Sequence, residues 1–369
     1  MSALLKTHLR SLSGHGDPLA DAVIDTLEHS PSHAKALLQQ GLKHGCQAIP
    51  KAPESIKALL KDAELACAET PIEILQRATE PYLLMGPTWL SVSLGPGALI
   101  HTYCDPSIAA VLSSTGNLSA QLAARRLMET QLWNLKILRS GGLMIGAEGY
   151  VHTLQVRLLH ARIRANLIKR SDPPFNACIP IDQCQLLRTW LDFTVVSFQS
   201  LERIGFKFDA QKLSCLYAMW RLVGRLLGIE QSTLSFVTDH DAANILLREI
   251  DAITAPPDDR SIALTRAMLD AIGQRLAGVW GMPTDISILF VESLARLFHG
   301  ERLADTLNIA TNWTEALLTP HIDANRYRLL RAAQDPTFKA EIIAQSLRGF
   351  DWIESKFAGD TAYQVYSQS

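Results

Sequence analysis

The feature that most constrains this chain is helical periodicity, which runs through almost every long segment without any sustained alternation of apolar and polar residues. Apolar residues that recur at three- and four-residue intervals predict amphipathic helices, whereas half-buried strands would alternate at every second residue. Proline and glycine interrupt the pattern and mark the turns between helices. We therefore predict an all-α fold, a single compact helical domain.

The boundaries of these helices follow from local signals. Asp17 is a suitable N-cap, and Pro18 after it suits the first helical turn. Gly141, Gly142 and Gly146 predict a turn between two of the most strongly helical segments. The predicted helices cover 17–29, 32–44, 54–67, 106–112, 119–138, 147–169, 181–204 and 209–227, and further helices follow from 239 to about 358.

Composition excludes several classes of protein. Of 369 residues, 47% are hydrophobic and only 20% are charged, which excludes a disordered chain. The net charge of −2 gives no basic surface for nucleic acid. The most apolar window, 83–100, is interrupted by Gly-Pro pairs, whereas a membrane-spanning helix needs about 20 mostly uninterrupted apolar residues, so we predict no span. The slightly positive mean hydropathy, +0.08, then fits either an enclosed apolar pocket or a large helical core.

Residues that indicate compartment or common catalytic motifs are few. Residues 1–13 lack the features of a secretory signal, so we expect a cytoplasmic protein. No HExxH, GxSxG or glycine-rich phosphate loop occurs. The six cysteines lack CxxC spacing, which predicts reduced thiols rather than a disulfide framework or zinc site; they are Cys46, Cys67, Cys104, Cys178, Cys184 and Cys215.

One predicted helix carries a histidine inside an apolar run, in the segment VRLLHARIR at 156–164. Arg157 precedes His160 by three residues and Arg164 follows it by four, which places the three on one helix face. A haem offers an axial iron position for a neutral imidazole and two propionates for guanidinium groups. A buried histidine bonded to a backbone carbonyl, beside surface arginines, fits the same spacing, and spacing alone favours that simpler interpretation.

The preceding predicted helix carries a stripe of polar and aromatic side chains. On a buried face this stripe would hold hydrogen-bond donors and an acceptor over a bound ligand, and on an exposed face it would be solvated. Spacing does not decide between the two. Its members lie at i, i+3, i+4 and i+7 and therefore share one face: Arg126, Glu129, Thr130 and Trp133.

The combined pattern resembles the DUF2236 family of haem oxygenases, which includes latex clearing protein (rubber oxygenase) and the ER-bound oxygenase of mycophenolic acid biosynthesis. The resemblance covers most of the chain up to about residue 230 and is weaker beyond. The pattern as a whole is specific, although no single piece of it is. It is carried by DPLADA at 17–22, YCDP at 103–106, STGNL at 114–118, RLMET at 126–130, the glycine-rich turn at 142–149, VRLLHARIR at 156–164, IPIDQ at 179–183 and YAMWRLVGRLLGI at 217–229.

The resemblance assigns roles to particular residues. His160 corresponds to the proximal ligand of the haem iron, and Arg126 and Thr130 correspond to an active-site arginine and threonine on the distal helix. Rubber oxygenase has a distal lysine where this chain has Glu129, so a lysine-capped closed state is not implied. Glu129 then serves either as a catalytic base or proton relay, or only as an ion-pair partner of Arg126. The helix geometry, rather than the resemblance, makes Arg157 and Arg164 the candidates for binding the propionates, so the predicted cofactor-binding residues are His160, Arg157 and Arg164.

The resemblance also implies an architecture and an activity. It implies one oxygenase domain over 1–369, with an N-terminal helical extension at 1–75, a globin-like haem-binding core at 76–235 and C-terminal helices at 236–369. The implied activity is that of a b-type haem-dependent oxygenase, which uses O₂ to cleave a C=C bond or insert oxygen in a small hydrophobic substrate. Two alternatives stay open: a non-catalytic protein that binds haem or an apolar ligand, and a peroxide-using haem oxidase or desaturase.

Overall fold

The computed structural model describes residues 2–29, 31–114, 120–171 and 173–357, and these residues fold into helices without a β-strand. The all-α prediction is confirmed. Two 3₁₀ turns (Cys46–Ala48 and Trp313–Leu317) and two π-helical segments (Ser93–Leu99 and Asp192–Val196) accompany the α-helices. The α-helices are α1 (Ser2–Leu12), α2 (Pro18–His29), α3 (Pro31–His44), α4 (Glu54–Ala68), α5 (Ile72–Val92), α6 (Ile100–Tyr103), α7 (Pro106–Ser114), α8 (Ala120–Ile137), α9 (Glu148–Arg170), α10 (Gln183–Leu191), α11 (Ser197–Arg203), α12 (Ala210–Leu226), α13 (Gln231–Leu234), α14 (His240–Ile253), α15 (Asp259–Trp280), α16 (Thr284–Thr306), α17 (Leu318–Gln334) and α18 (Pro336–Phe357).

The predicted glycine turn lies between α8 and α9 and sets the two helices side by side. Gly146 has a φ of +81°, a conformation that glycine adopts without steric cost. A Cβ atom at Gly142 would lie 2.1 Å from the carbonyl oxygen of Lys136, so only glycine allows this close approach. The turn therefore brings the polar stripe of α8 next to the helix that carries His160.

The apolar window 83–100 is not interrupted in the way that the sequence predicts. A helical stretch runs from Ile72 to Tyr103, bends at Gly86 and continues through the π-helical segment that contains Pro96. Pro87 directly follows the bend, where a helix tolerates proline because its first N–H groups have no intrahelical acceptor. Within the described residues this is the one helix long and apolar enough to cross a membrane, and 72% of its apolar window is buried inside the protein.

The hydrophobic core is continuous across the chain. One cluster of buried side chains includes Leu9 of α1, Trp220 of α12 and Phe350 of α18. The helices at both ends therefore pack on the same core as the central ones. The division into segments 1–75, 76–235 and 236–369 stays a prediction.

Ion pairs of two buried arginines hold α9 against the N-terminal helices. The guanidinium of Arg157 donates to both carboxylate oxygens of Asp17, with Nε–Oδ2 and Nη2–Oδ1 distances of 2.6 and 3.0 Å, and to Asp62 of α4 at 3.0 Å. Arg164 donates to Asp21 of α2 at 2.7 Å. Such bidentate charged bonds fix orientation as well as distance. They therefore set the position of the helix from which His160 projects.

Candidate active site

A largely apolar cavity of about 330 Å³ lies between α8, α9, α10 and α12, with α6 and α7 closing one side. Its volume lies within the range of sites that bind small molecules, and its few polar groups in an apolar wall are typical of such sites. The polar or titratable members of the wall are Thr102, Tyr103, Arg126, Glu129, Thr130, His160, Gln185 and Thr189.

His160 contributes a neutral imidazole to this wall. Burial is the main cause that lowers the pKa of His160 to about 4, and the positive charge of Arg164 lowers it further. Within the part of the chain that the structure describes, the buried Nδ1 atom has no hydrogen-bond partner. The structure therefore does not show the bond to a backbone carbonyl that the simpler interpretation required. A neutral imidazole is the form of histidine that binds metals.

The stripe on α8 faces the cavity rather than open solvent. Arg126, Glu129, Thr130 and Trp133 all line the wall. The indole N–H of Trp133 donates to the Thr153 hydroxyl at 2.9 Å, which ties α8 to α9 beside the cavity. The stripe and His160 thus line the same enclosed space.

The electrostatic partners on α8 differ from those expected. The Glu129 carboxylate accepts a hydrogen bond from the Arg125 guanidinium at 2.9 Å, so its ion pair is with Arg125 rather than Arg126. Arg126 donates through Nη2 to the carbonyl oxygen of Leu112 at 3.0 Å. Both arginines lie at helical spacings from which opposite charges can meet, but the Arg126 guanidinium is turned to the Leu112 carbonyl oxygen, so Arg125 at i−4 forms the pair.

The two arginines predicted to bind propionates lie outside the cavity wall. Arg157 uses its guanidinium for Asp17 and Asp62, and Arg164 uses its own for Asp21 and the Ile181 carbonyl oxygen. Arg157, His160 and Arg164 do share one helix face, but that face contacts the N-terminal helices as well as the cavity. We therefore do not carry Arg157 and Arg164 into the proposed site.

Several wall residues were not identified as functional candidates from the sequence. Tyr103 is one: burial raises its pKa to about 12 despite the opposing charge of Arg126, so the phenol stays protonated and can donate. Gln185 is another, but its amide is engaged by the Ile181 N–H and the Ser107 hydroxyl. Trp190 and Trp220 line the wall, whereas Trp89 does not. Tyr103 begins the YCDP motif and Gln185 lies two residues after the IPIDQ motif, but only the packing of α6 and α10 shows which way they face.

A buried ion cluster lies directly behind the cavity wall, where the two π-helical segments pack against each other. The His101 ring is 2.7 Å from the fully buried Asp192 carboxylate and 3.5 Å from Asp251. Arg188 donates to Asp251 at 2.9 Å, and Thr102, a wall residue, donates to Asp192 at 2.7 Å. Burial alone would lower the pKa of His101, but the two carboxylates outweigh it and raise the pKa to about 9.

This cluster predicts a loss of stability at mildly alkaline pH. His101 has a higher pKa in the folded protein than its ordinary value of 6.5, so its contribution is complete below pH 6.5 and declines as the pH rises towards 9. Between pH 7 and 8.5 we expect the free energy of unfolding to fall by about 2 kcal/mol from this group. Urea unfolding at both pH values measures the change.

The matched control for this pH effect is Asp192→Asn, which removes the main charge that holds the His101 proton. Burial lowers the pKa of His152, His160 and His299 to about 4, 4 and 3, so these neutral imidazoles reduce stability mainly below pH 6.5, outside this interval. The variant should therefore lose stability at pH 7 and show a smaller further decline to pH 8.5. An equal decline in both proteins would contradict the assignment to His101.

The chain is similar to known proteins at the level of a family model and of a solved structure. A family model described as "ER-bound oxygenase mpaB/B'/Rubber oxygenase, catalytic domain" matches residues 84–333, which include every residue of the cavity wall. Among solved structures, the chain is similar to latex clearing protein LCP in the closed state, with a TM-score of 0.66 and 18% sequence identity over 90% of this chain and 88% of that one. At this identity the likeness shows a shared fold. No curated protein matches the chain. The chain belongs to the family of mpaB-type and rubber oxygenase catalytic domains, an oxygenase family.

Proposed function

We propose that this protein is a b-type haem-dependent oxygenase that acts with O₂ on a small hydrophobic substrate. The observation that carries the proposal is His160, a neutral imidazole with an unpaired, buried Nδ1 atom, in the wall of an apolar cavity within an oxygenase-family domain. The reaction class that we propose is oxidative cleavage of a C=C bond or insertion of oxygen.

The residues of the cavity fit a haem better than a metal ion held by protein ligands alone. Among the described residues, no group of three or more His, Cys, Asp or Glu side chains could hold a metal ion. A haem would bring iron ligands of its own in the porphyrin, so a single protein side chain would suffice to hold the iron, and His160 would be that side chain. When bound, the haem would supply the redox chemistry of O₂. The apolar wall would hold the hydrophobic face of the ring.

The remaining wall residues would orient the reactants. Arg126 carries a fixed positive charge with several N–H groups, and Thr130 lies one helical turn away on the same face. Both can donate hydrogen bonds to an oxygen atom in the cavity. Tyr103 adds a phenol that stays protonated. A hydrophobic substrate against the apolar wall would displace water, which would strengthen each of these polar interactions.

The experiment that tests the cofactor is reconstitution of the purified protein with haem. We expect a Soret band at one haem per chain and O₂ uptake that depends on an apolar alkene. A protein that binds no haem would overturn the haem-dependent proposal. Haem binding without O₂-dependent turnover of any substrate would favour the non-catalytic alternative instead, and turnover with peroxide alone would favour the oxidase alternative.

Arg126→Ala is expected to retain haem but lower O₂-dependent turnover by about 100- to 1000-fold, the usual effect of removing a donor that stabilises developing charge. Arg126→Lys should restore part of the rate, because lysine keeps the charge without the planar fork. Turnover per bound haem measures both variants. Arg125→Ala is the control, since it removes the ion-pair partner of Glu129 while Arg126 remains. Equal losses in the Arg125 and Arg126 variants would contradict a specific role for Arg126.

A further inference from the structure

Aromatic side chains form a connected group on the side of the cavity next to α12. The rings of Trp133 and Trp220 have centroids 6.3 Å apart, and Phe193 lies 6.1 Å from both. All three line the cavity, as does Trp190. Edge-to-face contacts at such distances are common in protein cores. By themselves they indicate packing, and a functional role needs a feature that packing does not require.

That feature is at Tyr217 of α12, which lies farther from the cavity than the aromatic wall residues. The ring of Tyr217 is 6.4 Å from that of Trp190, and the residue is 1% exposed. Burial raises the pKa of Tyr217, so its phenol is protonated. The phenol oxygen lies 2.8 Å from Nδ1 of His240, the first residue of α14, and we assign the phenol as donor and the imidazole as acceptor.

This hydrogen bond gives the tyrosine a base at the position where a proton would leave. Oxidation of a tyrosine by one electron makes its O–H strongly acidic, so the reaction is favourable only where a base receives the proton. His240 is half-buried, and the exposed carboxylates of Asp239 and Asp241 lie next to it in the chain. Glu202 adds a further negative charge near Tyr217. The pair thus has an acceptor for the proton on the side away from the cavity.

Tyr82 shows that this arrangement is not a general property of the core. It is also a buried tyrosine next to a cavity tryptophan, and its oxygen accepts a hydrogen bond from the Trp220 indole N–H at 2.8 Å. Within the described residues, however, no base accepts the Tyr82 proton. Two buried tyrosines therefore contact the aromatic wall, and only Tyr217 is hydrogen-bonded to a histidine.

We propose that Trp190 and Tyr217 form a one-electron transfer route between the cavity and the surface near His240, with Tyr217 as the redox-active residue and His240 as its proton acceptor. The proposed oxygenase function supplies only the source of the oxidant in the cavity. The route would let oxidising equivalents that meet no substrate leave the site without damaging it.

The transfer is balanced at each step. A one-electron oxidant in the cavity takes an electron from Trp190, and Tyr217 then returns an electron to Trp190. As it does so, the Tyr217 O–H bond breaks and the proton moves to Nδ1 of His240. The products are reduced Trp190, a neutral Tyr217 radical and a His240 imidazolium. A small-molecule one-electron reductant at the surface then restores Tyr217, which recovers its proton from His240.

The test is ultraviolet flash photolysis of the purified full-length protein before any haem is added. The flash removes electrons from tryptophans, including buried ones, and the absorption of tryptophan and tyrosine radicals is followed afterwards. We expect the tryptophan signal to decay as a tyrosyl signal grows, with slower growth in D₂O than in H₂O because a proton moves in the same step. Because no haem is present, a failure of the proposed cofactor leaves this test intact.

Variants assign the signal to the route. Tyr217→Phe and Trp190→Phe should lose most of the tyrosyl growth, whereas Tyr82→Phe, the matched control, should keep it. His240→Gln, a change at a half-buried position that keeps a hydrogen-bond acceptor but not a base, should lower its rate and yield even if the core variants fail to fold. Absence of tyrosyl growth in the wild type, or equal growth in the wild type, Tyr217→Phe and His240→Gln, would overturn the proposal.

Discussion

Replacing Asp17 with asparagine is expected to lower the free energy of unfolding by about 3–5 kcal/mol, the usual cost of breaking a buried ion pair by removing one partner. Asp17 and Arg157 are each 3% exposed, and the guanidinium of Arg157 binds both oxygens of the Asp17 carboxylate. An amide in place of the carboxylate leaves the positive charge buried, with Asp62 as its remaining carboxylate partner among the described residues. Urea unfolding at pH 7 measures the change.

The matched control is Asp21→Asn, one helical turn along α2. Asp21 pairs with Arg164 in a similar way, but its side chain is 41% exposed and Arg164 also donates to the Ile181 carbonyl oxygen. Water can therefore replace part of the lost interaction, and we expect a loss of about 1 kcal/mol or less. Similar losses in the two variants would contradict the view that burial makes the Asp17–Arg157 ion pair stronger than the Asp21–Arg164 ion pair.

The fold was predictable because helix periodicity and helix ends are local properties of a sequence. The predicted helix at 147–169 is observed at Glu148–Arg170, and the one at 209–227 at Ala210–Leu226. Asp209 caps the latter by accepting a hydrogen bond from the Lys212 N–H, as its position before an apolar run indicates. Such signals need no knowledge of what the helix packs against.

The partners of polar side chains were less predictable, because they come from distant parts of the chain. Spacing placed Arg157, His160 and Arg164 on one face. It did not show that the carboxylate of Asp17, 140 residues away in the chain, binds the Arg157 guanidinium. The local sequence is the same for an arginine that binds two carboxylates of the protein and for an arginine that binds a ligand. The face was therefore predictable, whereas its division between cavity and protein contacts was not.

The two π-helical segments explain another difference between the structure expected from the sequence and the structure observed. Gly95-Pro96-Gly97 is typical of a turn, yet in the structure it lies inside a wide helical segment that continues into α6. A π-helical turn adds residues without ending the helix and shifts the faces of the residues that follow. The direction of His101, Thr102 and Tyr103 thus depends on a local geometry that a 3.6-residue period does not predict.

The change with the largest expected effect on function is His160→Ala, which should weaken haem binding by at least about 100-fold and abolish the Soret band of the reconstituted protein at equimolar haem. Among the wall residues His160 offers the neutral imidazole with an unpaired buried nitrogen, and loss of an axial ligand exceeds the 10- to 100-fold cost of losing a residue that only orients a ligand. Absorption titration with haem measures the affinity.

The matched control for this change is His152→Ala, two turns earlier on α9. Burial lowers the pKa of His152 to about 4, as it does for His160, but His152 lies outside the cavity wall. It should therefore bind haem as the wild type does. His160→Gly should recover a Soret band when free imidazole is added, because the cavity left by the side chain can admit the missing ligand. A Soret band that persists in His160→Ala, or a loss of haem in both alanine variants, would contradict the assignment of His160 as the iron ligand.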